Sequence, residues 1–495
     1  MGIIQRQGLK NTIVTFAGIL LGFVSLLYIQ PKFLSAEEIG LTRVLFSLSS
    51  LVGVFLPLGI GVITVKYFPV FRDTKTGHNG FFGLILLFML VGCVFVGLLL
   101  FLFKSTFIST YQEQSRQFVE FYYLVLPFSF LIGLNAVLTL YCNSLFKSTF
   151  PAIFNEILVR ILSIVLFTIY FIKLINIQLF ILLFVGIYGL QSLALLTYIL
   201  KVDNPSLKIN WEKLKNGSFQ EMLTFGIWMS FISVASLGIK FIDSLIIAKY
   251  FKLELVGIYA IAAFIPNIIE APMHALDRIA GTKIAHALSV NDYDEIKKIY
   301  YKSATYLLII GGLIFVGITA NIQYLLAFLP PKYMGGLDVV YIISIGALFN
   351  IAGGANSQII FSSNNFWKGG MTLIGVVVLA LILNIVLIPK FGITGAALAT
   401  CISAFTYFIA KFFIVYKNFK LQPYNFETLK VILLILCCSL LGYAIPTVTS
   451  PFVNIITHSL LVGGLYIAGC FAMNLVPDAS SLLVTARNFL NGLIK

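Results

Sequence analysis

Long apolar runs separated by short polar stretches follow one another along the whole chain. A helix needs about 20 apolar residues to cross a hydrocarbon core roughly 30 Å thick, and the chain holds fourteen runs near that length. They lie near 11–34, 40–69, 80–103, 118–146, 150–172, 176–200, 219–248, 255–277, 303–328, 337–362, 367–388, 393–416, 428–447 and 452–476. A membrane barrel would instead show short alternating segments. The pattern predicts an all-α, polytopic membrane protein of about 14 transmembrane helices.

An internal repeat accompanies these runs. The segments 32–41 and 249–258 read alike, and each closes one apolar run and opens the next. The same spacing relates Lys66 to Lys283 and the segment 172–174 to 389–391. Repeats built from membrane-length segments are typical of transporters whose two halves move around a shared site near the midplane. We therefore expect the functional site between the two halves.

A polar stretch at 201–218 predicts the domain organisation. Residues 1–200 are predicted to form an N-terminal six-helix half, and 201–218 a cytoplasmic linker. Residues 219–418 then form a C-terminal six-helix half. The remaining segment, 419–495, supplies two additional transmembrane helices that have no counterpart in the repeat.

Composition and charge support the membrane assignment and set the orientation. The chain is 59% hydrophobic and only 11% charged, with a net charge of +14. Most lysines and arginines fall on the side of the membrane that holds the N-terminus. By the positive-inside rule this side is cytoplasmic, and an even number of spans places both termini there. The basic residues are scattered over many short loops, so nucleic acid is not expected as a partner. The first apolar run is too long for a cleaved signal peptide and should remain as an anchor.

Few motifs point to catalysis or to a metal. All six cysteines lie within apolar runs and are interpreted as buried apolar side chains, not as disulfides or metal ligands. The chain shows no Walker loop, H-x-x-x-H pair or nucleophile elbow. We predict that the protein is not an enzyme and has no resident cofactor, with H+ and Na+ both open as coupling ions.

Charged residues inside the apolar runs are costly and mark candidate sites. Arg43 lies one turn into the second run and has no acidic residue at i±3 or i±4. Its alternative interpretation is a side chain that extends to the outer interface. Lys240 and Asp243 share a face of the seventh run at i and i+3, and either an ion pair or a functional site would explain them.

Three further embedded charges extend this set. Glu156 and Arg160 share a face of the fifth run at i and i+4, which favours a structural ion pair. Glu270 lies in the eighth run and is a candidate to carry a coupling proton or cation. A structural pair with a neighbouring helix is its alternative interpretation.

Helix-breaking residues interrupt two of the runs. The second run contains Pro57 and Gly61, and the eighth contains Pro266 and Pro272. Interrupted helices in corresponding halves are a sequence signal for a binding site and for bending during alternating access. These four residues are the candidate hinges, and a kink needed only for packing is the alternative.

Two segments carry a resemblance to a known family. The run IPKFGITGAALAT at 388–400 resembles the helix 11 to helix 12 signature of Wzx-type polysaccharide flippases in the multidrug/oligosaccharidyl-lipid/polysaccharide (MOP) exporter superfamily. The opening, from Lys10-Asn11-Thr12 to the segment 32–41, is similar to the start of that family. Drug exporters of the superfamily usually have twelve spans, so fourteen favours its polysaccharide or peptidoglycan-precursor branches.

The resemblance implies a transporter that flips undecaprenyl-diphosphate-linked oligosaccharide to the outer leaflet for surface polysaccharide biosynthesis. It implies the bacterial cytoplasmic (inner) membrane and, as partners, the bilayer, the lipid-linked glycan and a polysaccharide polymerase or glycosyltransferases. Cations that line the family's cavity receive the pyrophosphate, and here Arg43, Lys240 and Arg160 would take that role. A cation-coupled multidrug or metabolite antiporter remains the alternative, with Asp243 or Glu270 indispensable. A glycosyl-transfer enzyme is disfavoured, because the outer loops are short and carry few acids.

Overall fold

The computed structural model describes residues 3–214, 218–447 and 450–475, and all regular structure within these ranges is helical. The first eleven helices are α1 (Ile3–Val24), α2 (Gln30–Phe33), α3 (Ala36–Phe55), α4 (Ile60–Phe71), α5 (Phe81–Leu102), α6 (Lys104–Tyr111), α7 (Arg116–Glu120), α8 (Val125–Ser144), α9 (Thr149–Ile153), α10 (Val159–Phe171) and α11 (Ile177–Val202). The others are α12 (Ser218–Tyr250), α13 (Leu253–Phe264), α14 (Asn267–Ser289), α15 (Tyr293–Leu326), α16 (Leu337–Ala352), α17 (Asn356–Ser362), α18 (Phe366–Phe419), α19 (Phe426–Ala444) and α20 (Pro451–Ala472). The all-α prediction is confirmed.

The number of spans agrees with the sequence once the longest helix is divided. Twelve helical segments in the described residues are long and apolar enough to cross a membrane, or thirteen if the bent pair α13 and α14 counts as one span. The segment α18 has 54 residues, which at 1.5 Å per residue is about 81 Å and more than twice the thickness of a hydrocarbon core. It therefore supplies two spans, which gives fourteen.

Gly392 divides α18 at the point where the family-like signature lies. Its backbone has φ 61° and ψ −136°, a conformation that glycine adopts readily and other residues do not. After it, the chain folds back: a Cβ on Gly395 would lie 2.3 Å from the carbonyl oxygen of Leu387. Residues eight apart cannot touch in a straight helix, so these glycines form the turn between the eleventh and twelfth spans.

The helices form two compact units, which differ from the predicted halves. Unit 1 contains Met1–Ile261 and Leu373–Ala399, and unit 2 contains Ala262–Thr372 and Thr400–Lys495. The seventh and eleventh spans thus pack in unit 1, although both belong to the second half of the repeat. The two units are defined by which helices pack together, whereas the predicted halves are defined by the sequence repeat. The two divisions of the chain need not coincide, and the repeat halves stay a prediction.

The repeated segments pack against each other within unit 1. A Cβ on Gly40 of α3 would lie 1.9 Å from the Leu253 carbonyl oxygen, and a Cβ on Gly257 of α13 would lie 2.0 Å from the Ala36 carbonyl oxygen. The two contacts are reciprocal, since Ala36 and Leu253 hold equivalent repeat positions, as do Gly40 and Gly257. Only glycine permits so close an approach of two helices, which gives these repeated glycines a physical reason.

The second predicted span is broken at Pro57. Helix α3 ends at Phe55 and α4 begins at Ile60, with Leu58 at φ 49° and Gly59 at φ 80° in between. Proline removes a helical hydrogen bond, and Gly59 approaches the backbone of Gly226 so closely that a Cβ would lie 2.2 Å from its carbonyl oxygen. Gly61 is the second residue of α4 and packs against the Leu140 side chain.

The eighth predicted span is also interrupted. The chain bends by 44° between Leu253–Phe264 and Asn267–His274, and Pro266 lies in the break. Pro272 lies inside α14, which continues without interruption. The predicted breaks therefore occur at Pro57 and Pro266, and whether they act as hinges stays a prediction.

The predicted linker is fixed to the loop between the second and third spans. The His78 ring, which is fully buried, accepts a hydrogen bond from the Asp73 backbone N–H at Nδ1 (3.0 Å). Its Nε2 lies 2.6 Å from Asp203. The Ser206 N–H donates to the Gly77 carbonyl oxygen. Residues 215–217 of the linker lie outside the described residues.

Candidate functional site

Asp243 is the centre of a buried polar cluster in unit 1. It lies on α12 with 5% of its surface exposed. Its Oδ2 accepts a hydrogen bond from the Tyr259 hydroxyl (2.5 Å), and its Oδ1 accepts one from Asn384 Nδ2 (2.7 Å). Three elements, α12, α13 and α18, thus converge on one carboxylate. A buried charge needs such partners, because burial without them is costly.

Arg43 lies close to this carboxylate. Helix α3 begins with a capping box, in which Ser35 and Glu38 each accept a hydrogen bond from the other's backbone N–H, and Arg43 follows about two turns later. The guanidinium lies over the ring of Phe241, with its Cζ 5.4 Å from the ring centre. Asp243, Tyr259 and Tyr188 all lie within electrostatic range.

One nitrogen of the Arg43 guanidinium is left unsatisfied by the protein. Its Nε is buried and has no hydrogen-bond partner among the residues that the structure describes. An unpaired donor in an apolar environment is unfavourable, and an anion or a water molecule would relieve that cost. Arg43 therefore combines a neighbouring acid with an unused donor.

Lys240 and Asp243, at i and i+3 of α12, differ in burial. The Lys240 side chain is exposed, whereas Asp243 is buried one turn further along α12. The Asp243 carboxylate accepts hydrogen bonds from Tyr259 and Asn384. A substrate contact of Lys240 remains a prediction, and it would be made from an exposed position.

The predicted pair Glu156–Arg160 forms a salt bridge of 3.0 Å between Glu156 Oε2 and Arg160 Nη2. Both side chains are about a third exposed. The two side chains pack closely against two glycines of α1. A Cβ on Gly18 would lie 2.8 Å from Glu156 Oε2, and a Cβ on Gly22 would lie 2.8 Å from Arg160 Nη1. Nη1 has no hydrogen-bond partner in the described part of the chain.

Unit 2 contains a second polar cluster, built at an interruption that we did not predict. The tenth predicted span divides into α16 and α17, with Gly354 between them at φ 53°. Asn350, near the end of α16, donates from Nδ2 to Glu270 Oε1 on α14 (2.7 Å). Asn356 opens α17 with 1% of its surface exposed, and its Nδ2 has no partner in the described residues.

Lys411 completes the cluster in unit 2. It lies on the second part of α18 with 5% of its surface exposed. Its Nζ donates to Ser357 Oγ (3.1 Å) and lies 4.2 Å from the centre of the Tyr407 ring. Glu270 and Asp277 lie within electrostatic range. Among the described residues, neither comes within the 4.0 Å of a salt bridge with it.

Sequence reasoning missed several of these residues. Lys411 is not among the candidate charges named from the sequence, although its setting, FIAKFFIV, offers a signal in the form of one lysine within an apolar run. Asn384 and Asn350 lie in apolar runs in the same way. Tyr259 offers no such signal, because a tyrosine in an apolar run is ordinary.

Comparison with known proteins supports the fold. A lipid II flippase MurJ in an inward closed conformation has a similar structure, with a TM-score of 0.71 and 16% identity over 94% of this chain and 99% of its own. A multidrug resistance MATE family transporter of the MOP superfamily, in an inward-facing conformation, has a TM-score of 0.63 and 15% identity over 83% and 94%. The chain has the same fold as these two proteins.

Sequence comparison alone is less informative. An uncharacterized membrane protein of Methanocaldococcus jannaschii is 30% identical over 158 residues, which is 30% of this chain and 29% of that protein. The chain thus matches less than a third of the length of this relative. No family model matches the chain. The shared fold and the many membrane-length helices establish a multi-pass membrane protein.

Proposed function

We propose that the protein flips a polyprenyl-diphosphate-linked oligosaccharide from the cytoplasmic to the outer leaflet by alternating access. The observation that carries this proposal is the extent of the fold. The lipid II flippase structure covers 94% of the chain, whereas the MATE transporter covers 83%. The two additional helices, α19 and α20, pack against each other and against α15 in unit 2.

The diphosphate of such a substrate requires cations within the membrane. Arg43 is the best candidate, because its guanidinium is embedded and its Nε is unused. Arg160 is a second candidate, since one of its two terminal nitrogens binds Glu156 while Nη1 is free of hydrogen bonds within the described residues. Lys240 would contribute from an exposed position.

A cation-coupled multidrug or metabolite antiporter is the second candidate function. Asp243 favours it, because a buried carboxylate within a membrane span is a common carrier of a coupling ion or proton. The fold similarity to a MATE transporter is compatible with the same role. In that case Asp243 or Glu270 would be indispensable and Arg43 would be dispensable.

A deletion strain distinguishes the two functions. If the protein is the flippase, the strain accumulates lipid-linked oligosaccharide on the cytoplasmic leaflet and loses surface polysaccharide, while its drug sensitivity is unchanged. Normal surface polysaccharide together with increased sensitivity to cationic dyes would contradict the flippase and support the antiporter. The proposal places the protein in the cytoplasmic membrane, next to the glycosyltransferases or polymerase that make and use the glycan.

A further inference from the structure

We propose that Tyr424, in the connector between α18 and α19, is a positioning residue for transport, because its hydroxyl holds the broken tenth span in shape. The inference rests on the proposed transport function and adds a role for the two additional helices, α19 and α20, to which the connector leads. It applies to either candidate substrate. The observations that carry it are the hydrogen bonds at the break and the anchoring of the connector and of α15.

The break in the tenth span takes two backbone groups away from their helical partners. In a continuous helix the Ala352 carbonyl oxygen would accept from the Asn356 N–H. The Ala355 N–H would likewise donate to the Ile351 carbonyl oxygen. Here the Ile351 carbonyl accepts from the Gly354 N–H, and the Asn356 N–H donates to the carbonyl three residues before it. Backbone groups in the membrane interior must be satisfied from within the protein, so other partners have to replace the lost ones.

Two side chains from elsewhere in unit 2 supply these partners. The Tyr424 hydroxyl donates to the Ala352 carbonyl oxygen (3.1 Å). The Ala355 N–H donates to Ser303 Oγ on α15 (3.0 Å). A Cβ on Gly354 would lie 2.9 Å from the same oxygen, so the backbone of the break lies directly against α15. The break is therefore held by α15 at one backbone group and by the connector at the other.

The connector is itself anchored at several points. The Tyr424 ring stacks on Phe412 of α18, with the ring centres 5.8 Å apart. Leu421 is buried in the same apolar cluster as residues of α17. Asn425 caps α19, and its Nδ2 donates to the Tyr301 hydroxyl on α15. The Tyr424 hydroxyl is thus presented to the break from a fixed position.

Helix α15 is held in turn by the two additional helices. A Cβ on Gly312 of α15 would lie 2.5 Å from the Tyr466 hydroxyl of α20, and this hydroxyl donates to the Ile309 carbonyl oxygen (3.0 Å). Further along α15, Asn321 Nδ2 donates to Ser459 Oγ of α20 (3.1 Å). Both supports of the break, α15 and the connector, are therefore attached to α19 and α20.

The shape of the break matters for transport because it orients buried polar groups. Asn350, before the break, donates to Glu270, and Ser357, after it, accepts from Lys411. Transporters place binding groups at broken helices, and such helices bend at the break. Tyr424 therefore acts on transport through the break that it supports.

Tyr424→Phe tests the proposal, because it removes the hydroxyl and keeps the ring on Phe412. Loss of a neutral hydrogen bond shifts an equilibrium about two- to tenfold. Amide hydrogen exchange of the purified protein should therefore become about two- to tenfold faster in the peptide that spans 353–357. Transport in proteoliposomes should slow by a similar factor. Ser303→Ala removes the other support and should give the same pattern, so a poorly folded Tyr424→Phe would not leave the break without a test.

Tyr466→Phe is the matched control, since this tyrosine also donates to a backbone carbonyl of unit 2 but away from the break. It should lower the Tm at least as much as Tyr424→Phe, because Tyr466 is only 1% exposed. Exchange at 353–357 and transport should both stay at the wild-type rate, since α15 keeps its close contact with α19 at Gly312.

Three outcomes would overturn the inference. One is exchange at the break that neither Tyr424→Phe nor Ser303→Ala changes. Another is faster exchange at the break together with wild-type transport. The third is transport slowed equally by Tyr466→Phe, which would reduce the effect to general stability. The exchange measurement needs no substrate, and transport can be followed with glycan or with dye, so failure of the flippase proposal is distinguishable from failure of this inference.

Discussion

The two polar clusters bury their charges in opposite ways. In unit 1 the acid Asp243 is buried and held by two hydrogen bonds, while the cation Arg43 keeps an unused donor. In unit 2 the acids are half-buried, and the cation Lys411 is enclosed without a salt bridge to any described residue. Under the proposed function, the cation of unit 1 is therefore the group that can receive an anionic substrate.

Removing the cation of unit 1 should have the largest effect. A charge-assisted hydrogen bond contributes about 1.5–3 kcal/mol, so Arg43→Ala should reduce glycan export roughly ten- to hundredfold. Arg43→Lys should restore only part of it, because an ammonium cannot bind phosphate oxygens in pairs as a guanidinium does. Surface polysaccharide in the complemented deletion strain is the measurement.

Arg116→Ala is the matched control for Arg43, since its side chain is 84% exposed and forms only a surface pair with Glu120. It should export glycan at the wild-type rate. Export by Arg43→Ala equal to that of this control, at equal protein level, would remove Arg43 from the substrate site.

Neutralising the buried acid of unit 1 should destabilise the protein more than neutralising the half-buried acid of unit 2. Asp243→Asn disturbs two buried hydrogen bonds and should cost about 1–3 kcal/mol, seen as a lower Tm in detergent. Glu270→Gln, at a half-buried position, should lower the Tm far less. If Glu270→Gln destabilised the protein as much as Asp243→Asn, the contrast in burial between the two acids would be contradicted.

The reciprocal glycine contact tests the repeat itself. Gly40→Ala and Gly257→Ala should each cost about 1–3 kcal/mol, because overpacking forces the backbones apart. The two losses should be similar, since the contacts are equivalent. Gly186→Ala is the control, because nothing lies within 4 Å of the added Cβ. A Tm unchanged by Gly40→Ala would show that α3 and α13 do not approach so closely.

Exposed Lys240 should show the smallest effect. Substitutions of exposed side chains usually change stability by less than about 0.5 kcal/mol, so Lys240→Ala should keep the wild-type Tm. Its export should fall less than that of Arg43→Ala. An equal loss from the two variants would make the lysine a full partner in substrate binding.

The fold could be predicted from the sequence because the membrane leaves few choices. Apolar runs of fixed length must become helices, and Pro57, Pro266 and Gly392 mark where helices end or bend. The break at Gly354 was missed, because a pair of glycines within an apolar run looks like an ordinary membrane helix.

The site was harder to predict than the fold. The pair Glu156–Arg160 follows from its spacing on one helix, and the structure confirms it. The partners of Asp243 lie on α13 and α18, and those of Lys411 on α14 and α17, so they depend on tertiary packing that a single sequence does not show. The i, i+3 spacing on α12 predicts that Lys240 and Asp243 share one face of the helix. In the structure Lys240 is exposed and Asp243 is buried.

Transport in proteoliposomes is the most direct test of the central claim. A fluorescent polyprenyl-diphosphate oligosaccharide is reconstituted with the purified protein, and the fraction of headgroups reachable by an external quencher is followed with time. The account predicts that wild-type protein moves the headgroup across the bilayer, that Arg43→Ala does so roughly ten- to hundredfold more slowly, and that Arg116→Ala matches the wild type. A headgroup that stays on its original side with wild-type protein, in vesicles where the same protein expels a cationic dye, would contradict it.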